Sequence, residues 1–125
     1  LFTKIVLTSG FYNIPQQIDY EKDRTLKPTI DLVSHLTSEE IAQRNPLNSI
    51  FLASDSLSFL VIHGKDDLIV PVSQSERLVE ELRRYQVDVD TLLYDSFPHT
   101  REASNPSNQS GKKYWNDLVS HVKQD

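Results

Sequence analysis

Residues 58–99 read SFLVIHGKDDLIVPVSQSERLVEELRRYQVDVDTLLYDSFPH, and the changes of periodicity inside that run decide the fold. Phe59, Leu60, Val61 and Ile62 are contiguous apolar residues, the pattern of a strand covered on both faces; Gly64 ends it. A loop, Lys65–Val72, follows. The spacing then changes to that of a helix: Leu78, Val79, Leu82 and Tyr85 form one apolar stripe. Ser73 and Glu76 predict an S-x-x-E capping box at its start, and Arg83 and Arg84 complement the dipole at its end. Val87–Tyr94 (VDVDTLLY) returns to strand chemistry and is broken by Asp95–Pro98. Strand, helix, strand in this order implies parallel strands joined by a right-handed crossover.

Working outward, Phe2–Thr8 (FTKIVLT) is a further short strand rich in β-branched residues, stopped by Ser9-Gly10. From Tyr12 to about Ser58 the pattern is less regular and is divided by Pro15, Pro28 and Pro46. Within it Thr29–Leu36 and Ser38–Arg44 predict short helices, the second capped by Ser38. Residues 15–58 therefore read as a lid or insertion rather than as part of the sheet. Residues 100–111 are polar and predict a loop, and Lys112–Lys123 a last helix with Tyr114, Trp115, Leu118, Val119 and Val122 as its stripe. The class is α/β. Such a set of strands leaves a sheet edge unpaired, and the chain opens on the apolar pair Leu1-Phe2, so Leu1 reads as an internal boundary of a longer protein.

With 125 residues there is room for one domain at most. The net charge of −5 and pI near 5.3, with no run of Lys or Arg, argue against nucleic acid as a partner. The absence of cysteine removes disulfides, zinc-thiolate sites and a Cys nucleophile from these residues. It fits a reducing compartment, and the cytoplasm is the expectation, with a membrane anchor in an upstream part as the alternative. No apolar run approaches the length needed to span a bilayer.

In an open parallel sheet, ligands bind beyond the carboxyl ends of the strands. Ser9-Gly10-Phe11-Tyr12 follows the first strand, HGKDDLIVP the second and DSFPHTR the third. A carboxylate and a histidine, His99, thus leave neighbouring crossover units at one rim. An imidazole oriented by a carboxylate is what a serine nucleophile needs as its base. Phe11, Tyr12 and Phe97 are candidates to line an acyl or alcohol pocket, with ordinary core packing as the alternative. Arg101 is a candidate for a substrate carboxylate, with solvent exposure the alternative, and Ser9 lacks the flanking glycine of a nucleophile turn. His35 and His121 take no assigned role, and the four histidines have no metal-ligand spacing.

The stretch from Phe59 to His99 resembles the acid-to-histidine segment of α/β-hydrolases, in which HGxxDxxVP precedes an amphipathic helix, a strand and a histidine. The resemblance implies a partial α/β-hydrolase fold, with parallel strands equivalent to the sixth to eighth of that sheet and flanking helices. It selects Asp67 over Asp66 as the acid, His99 as the base, and gives His63 a structural place beneath the acid loop. SGFYNI, and His99-Thr100-Arg101, are similar to segments of isoprenylcysteine methylesterases; EIAQRNP (40–46) is similar to arylformamidases, and prolyl-type oligopeptidases share the HGxxD element. The implied activity is hydrolysis of a small or lipid-conjugated carboxylic ester by a serine hydrolase that needs no cofactor or metal. A formamidase, a peptidase and a catalytically dead binding domain are the alternatives. No G-x-S-x-G and no HGG motif occurs in these residues, so the expected nucleophilic serine and oxyanion donors lie upstream and the chain alone is expected to be inactive.

Overall fold

In a computed structural model, residues 3–48, 57–96 and 109–123 are described. Their order is β1 (Thr3–Thr8), α1 (Ile14–Asp23), α2 (Pro28–Val33), α3 (Ser38–Arg44), β2 (Leu57–Gly64), α4 (Ser73–Arg84), β3 (Asp88–Tyr94) and α5 (Gln109–Lys123). The strands form one sheet in the order β1-β2-β3, and both pairings are parallel. The α/β class and the flanking helices are as the sequence predicts.

β2 lies in the middle, which explains its unbroken apolar run: Leu60, Val61 and Ile62 are each fully buried. Burial of this kind contributes about 1.5–3 kcal/mol per side chain. Alternate residues serve opposite layers. On one face Val61 packs with Tyr12, Leu78, Val79, Leu82, Val87 and Val89. On the other, Leu60 and Ile62 meet Leu92, Tyr94 and Leu118 of α5. Polar bonds fix α5 in place. The Tyr94 hydroxyl donates to Asp117 Oδ2 at 2.6 Å. Lys4 Nζ donates to His121 Nδ1 at 3.2 Å, and His121 Nε2 donates to Asp90 Oδ2 at 3.0 Å. Lys4 can only donate, which places the ring proton of a neutral His121 on Nε2.

Several local expectations are corrected. α1 was not foreseen as a helix; Pro15 opens its first turn, where the missing N–H costs nothing, rather than dividing the chain. Thr37, not Ser38, caps α3: Thr37 Oγ1 accepts from Glu40 N and Glu40 Oε1 accepts from Thr37 N, both at 3.1 Å. The cap of α4 is Val72, and Ser73 is already helical, so the expected Ser73–Glu76 box does not form. Tyr85 is exposed at the end of α4, and Trp115 and Val119 are exposed on α5, leaving the half-buried Leu118 as the described core contact of that stripe. The side chains of Tyr114 and Val122 lie outside the described set. α4 ends in a Schellman motif, with Gln86 N donating to Arg83 O and Val87 N to Leu82 O, and Gln86 left-handed at φ 60°. α1 ends the same way, with Thr25 at φ 59°.

Candidate active site

The loop after β2 is built around one carboxylate. Gly64 is level with Tyr94 in the register, and Lys65 N donates to Tyr94 O at 2.7 Å, so the loop leaves the sheet beside the end of β3. The chain then turns back and Asp67 is buried, 4% exposed. Asp67 Oδ1 accepts from the backbone N–H of Ile69 at 3.0 Å and of Val70 at 2.9 Å. These bonds close an Asx-type turn and fix the plane of the carboxylate. The exposed Asp66 is the loop's solvent-facing acid.

His63 lies under this turn and is fully buried. Its Nε2 is 2.7 Å from Val70 O, and its Nδ1 is 2.6 Å from Ser75 Oγ. A carbonyl only accepts, so Nε2 carries the proton; the neutral ring then accepts from the Ser75 hydroxyl through Nδ1. Asp67 Oδ2 lies farther from the same nitrogen, at 3.4 Å. The imidazole therefore ties α4 to the acid loop, matching the structural place that the sequence resemblance implies.

The segment after β1 approaches from the neighbouring strand. Ser9 N still bonds Ile62 O at 2.8 Å, and Ser9 turns the chain at φ 53°. Gly10 must be glycine: a Cβ would lie 2.7 Å from the Tyr12 hydroxyl and 2.9 Å from its ring. The amide of Gln74, fully buried, takes the place of a missing strand. Its Oε1 accepts from Tyr12 N and Asn13 N, both at 3.0 Å, and its Nε2 donates to Asn13 O at 2.9 Å. Asn45 Oδ1 accepts from Ile14 N at 2.6 Å. Tyr12 belongs to the core cluster, whereas Phe11 is exposed. Burial raises the Tyr12 phenol above its ordinary value, against smaller opposing effects of the Gly10 backbone and Ser75.

On the far side of the loop, Gln17 Nε2 donates to Ile69 O at 2.9 Å and the Tyr20 hydroxyl to Leu68 O at 2.7 Å. Glu21 accepts from Gln17 Nε2, Thr29 N and Thr29 Oγ1. Burial acts to raise the Glu21 carboxyl, but the bonds from Gln17 and Thr29 outweigh it and hold the group below its ordinary value.

Asp67, Phe11 and Tyr12 are thus located; Phe97, His99 and Arg101 lie outside the described residues. The sequence reading missed Gln74 and Ser75, although the stripe Leu78, Val79, Leu82 carried back one turn falls on them. It also missed Gln17, Tyr20 and Glu21, which carry no motif. Among the described residues no group of His, Cys, Asp or Glu is placed to hold a metal ion. No helix among them is long and apolar enough to cross a membrane.

The chain is 36% identical over 52 residues to the "Probable carboxylic ester hydrolase LipM" of Mycobacterium tuberculosis, covering 42% of this chain and 12% of that protein. It is 29% identical over 100 residues to the "Probable isoprenylcysteine alpha-carbonyl methylesterase ICME" of Oryza sativa subsp. japonica, covering 74% of this chain and 23% of that protein. The chain therefore spans less than a quarter of these curated relatives. The acylaminoacyl peptidase of Pyrococcus horikoshii superposes with a TM-score of 0.72 at 14% identity, over 99% of this chain and 20% of that one. The acetyl ester-xyloside bifunctional hydrolase of Caldicellulosiruptor lactoaceticus superposes with a TM-score of 0.67 at 16% identity, over 97% and 41%. The fold is that of the α/β-hydrolases. The model of the prolyl oligopeptidase family matches residues 1–123, and the chain belongs to that family.

Proposed function

We propose that this chain supplies the acid, Asp67, and the base, His99, of a serine hydrolase acting on a carboxylic ester, with the serine and oxyanion donors contributed from outside these 125 residues. The observation that carries the reading is the Asp67 carboxylate, buried and fixed by the Ile69 and Val70 amides at the end of β2, where the chain leaving β3 departs beside it. Ser96 is the last described residue of that departing chain. His99 follows it by three residues, and a tether of about 11 Å at most limits how far its backbone can stand from the end of β3.

In the proposed reaction, His99 Nε2 takes the proton of the serine hydroxyl as the oxygen attacks the ester carbonyl. It returns the proton to the leaving alcohol, and repeats both transfers with water. Its Nδ1–H is held by Asp67 Oδ2, because Oδ1 already accepts from the two loop amides. This bond sets the tautomer and stabilises the imidazolium. Phe11 and Phe97 are proposed to line the acyl or alcohol pocket, while the core position of Tyr12 gives its ring a packing duty. Phe11, Leu68 and Ile69 are exposed apolar side chains on the segments that follow the neighbouring parallel strands β1 and β2, which suits an apolar or lipid-conjugated ester, including a prenylcysteine methyl ester. The segment 15–58 is proposed as the lid.

A peptide substrate is a second reading, favoured by the family description. Labelling of the intact protein with a fluorophosphonate, followed by turnover of p-nitrophenyl esters against aminoacyl p-nitroanilides, tests both. Labelling is expected to fall by about 10³-fold or more in Asp67→Asn and in His99→Ala. Undiminished labelling in both variants removes the triad assignment. Faster anilide than ester turnover replaces the esterase reading with the peptidase one.

A further inference from the structure

We propose that helix α1 of the lid segment is the positioning element for the acid, acting through Gln17 and Tyr20, so that the lid and the acid loop move as one unit. The proposal rests on Asp67 being the acid. The Asp67 turn has two faces. From the sheet side it is held by His63, through the Val70 carbonyl. From the lid side it is held by α1 alone among the bonds described: Gln17 Nε2 to Ile69 O at 2.9 Å, and Tyr20 Oη to Leu68 O at 2.7 Å. Leu68 and Ile69 expose their side chains, at 64% and 58%, so packing does not fix these two residues; besides the Ile69 amide on Asp67 Oδ1, their carbonyl bonds to α1 hold them.

The Gln17 amide is itself aimed. It is 1% exposed, and its nitrogen faces both the Ile69 carbonyl and Glu21 Oε2 at 3.0 Å. Turned over, its oxygen would face two acceptors, so the orientation is compelled. The cost is visible: Gln17 Oε1 is buried and has no hydrogen-bond partner among the described residues. A residue selected only for packing would not carry that penalty. Glu21 in turn accepts from Thr29 N at the start of α2, so a continuous set of bonds runs from α2 through Glu21 and Gln17 to the backbone of the acid loop. Displacement of α1, as in opening of the lid, removes both bonds and lets the Ile69 amide withdraw from Asp67 Oδ1.

The test uses Gln17→Met, which keeps length and loses the donor, and Tyr20→Phe, which loses only the hydroxyl, in the intact protein. Hydrogen exchange is read on peptides covering residues 65–72 and, as an internal reference, residues 57–64. The expected result is exchange at least about tenfold faster in the acid-loop peptide with the β2 peptide unchanged. In the same variants kcat falls about tenfold with KM within about twofold. The acid limb of the kcat/KM profile moves to lower pH, because a mispositioned carboxylate stabilises the imidazolium less. Unchanged exchange in the acid-loop peptide of both variants, or an equal rise in the two peptides, overturns the proposal. Failure of the triad assignment shows separately, as undiminished turnover in Asp67→Asn.

Discussion

His63 and Asp67 face each other in the interior with Nε2 and Oδ2 3.4 Å apart, yet the ring proton between them belongs to the Val70 carbonyl at 2.7 Å. The pair is therefore a brace rather than an acid–base couple. The imidazole spans from Ser75 on α4 to the carbonyl that closes the Asp67 turn. Its removal strands a buried hydroxyl and a buried carbonyl at once. His63→Ala is expected to cost about 3–5 kcal/mol of folding stability, combining a cavity with lost bonds. Urea unfolding of the intact protein measures this. A loss below about 1 kcal/mol contradicts the bracing role.

Tyr12 predicts the opposite sign. Its hydroxyl is buried and makes no well-formed hydrogen bond, only weak polar contact with the Gly10 backbone and Ser75, while its ring belongs to the main core cluster. Tyr12→Phe keeps the ring and removes this poorly satisfied group, so stability should be unchanged or rise by about 1 kcal/mol. The raised phenol pKa adds a pH signature. A group raised in the folded state gives stability that is present below its unfolded value, 10.0, and lost as pH rises through the folded value. Thermal melts above pH 10 should therefore decline less steeply in Tyr12→Phe than in the parent.

Glu21 responds at the other end of the scale. Its lowered carboxyl gives stability that is present above the unfolded value, 4.5, and lost as pH falls through the folded value beneath it. Glu21→Gln should flatten the acid decline of stability below pH 4.5 and lower stability near neutrality. Chemical denaturation at stepped pH checks both effects. An unaltered acid slope in the variant would contradict the bonding of Glu21 to Gln17 and Thr29.

Thr25 occupies the left-handed position that ends α1, at φ 59°, a conformation costly for a β-branched residue. Thr25→Gly should stabilise the chain by about 1 kcal/mol, read as a shift in the denaturation midpoint. A destabilised variant would show that the Thr25 side chain has a use the backbone strain conceals.

What the sequence discloses depends on which side chains a layer buries. β2 and α4 bury Leu60, Val61, Ile62, Leu78, Val79 and Leu82, so their periodicity is plain in the letters. α1 buries Gln17 and Glu21 on its inner face, and a helix whose hidden face is polar carries no apolar stripe to detect. The caps fall one residue earlier than expected because backbone conformation sets where a helix starts: Thr37 is extended and caps α3, and α4 starts after Val72, which has no capping side chain. The turn that fixes Asp67 spans only three residues, but what distinguishes Asp67 from Asp66 in the letters is the resemblance of HGKDDLIVP to the hydrolase motif. Gln17, Tyr20 and Gln74 were not legible, because each acts on backbone atoms far along the chain, and a backbone acceptor leaves no mark on the sequence.

The proposed triad requires Asp67 to meet His99, and an experimental structure of the intact protein, phosphonylated at its nucleophile, measures that distance directly. The predicted result is His99 Nδ1 within about 2.6–3.2 Å of Asp67 Oδ2, with the Ile69 and Val70 amides still on Oδ1. An imidazole more than about 5 Å from that oxygen, or pointing to the opposite face of the sheet, contradicts it.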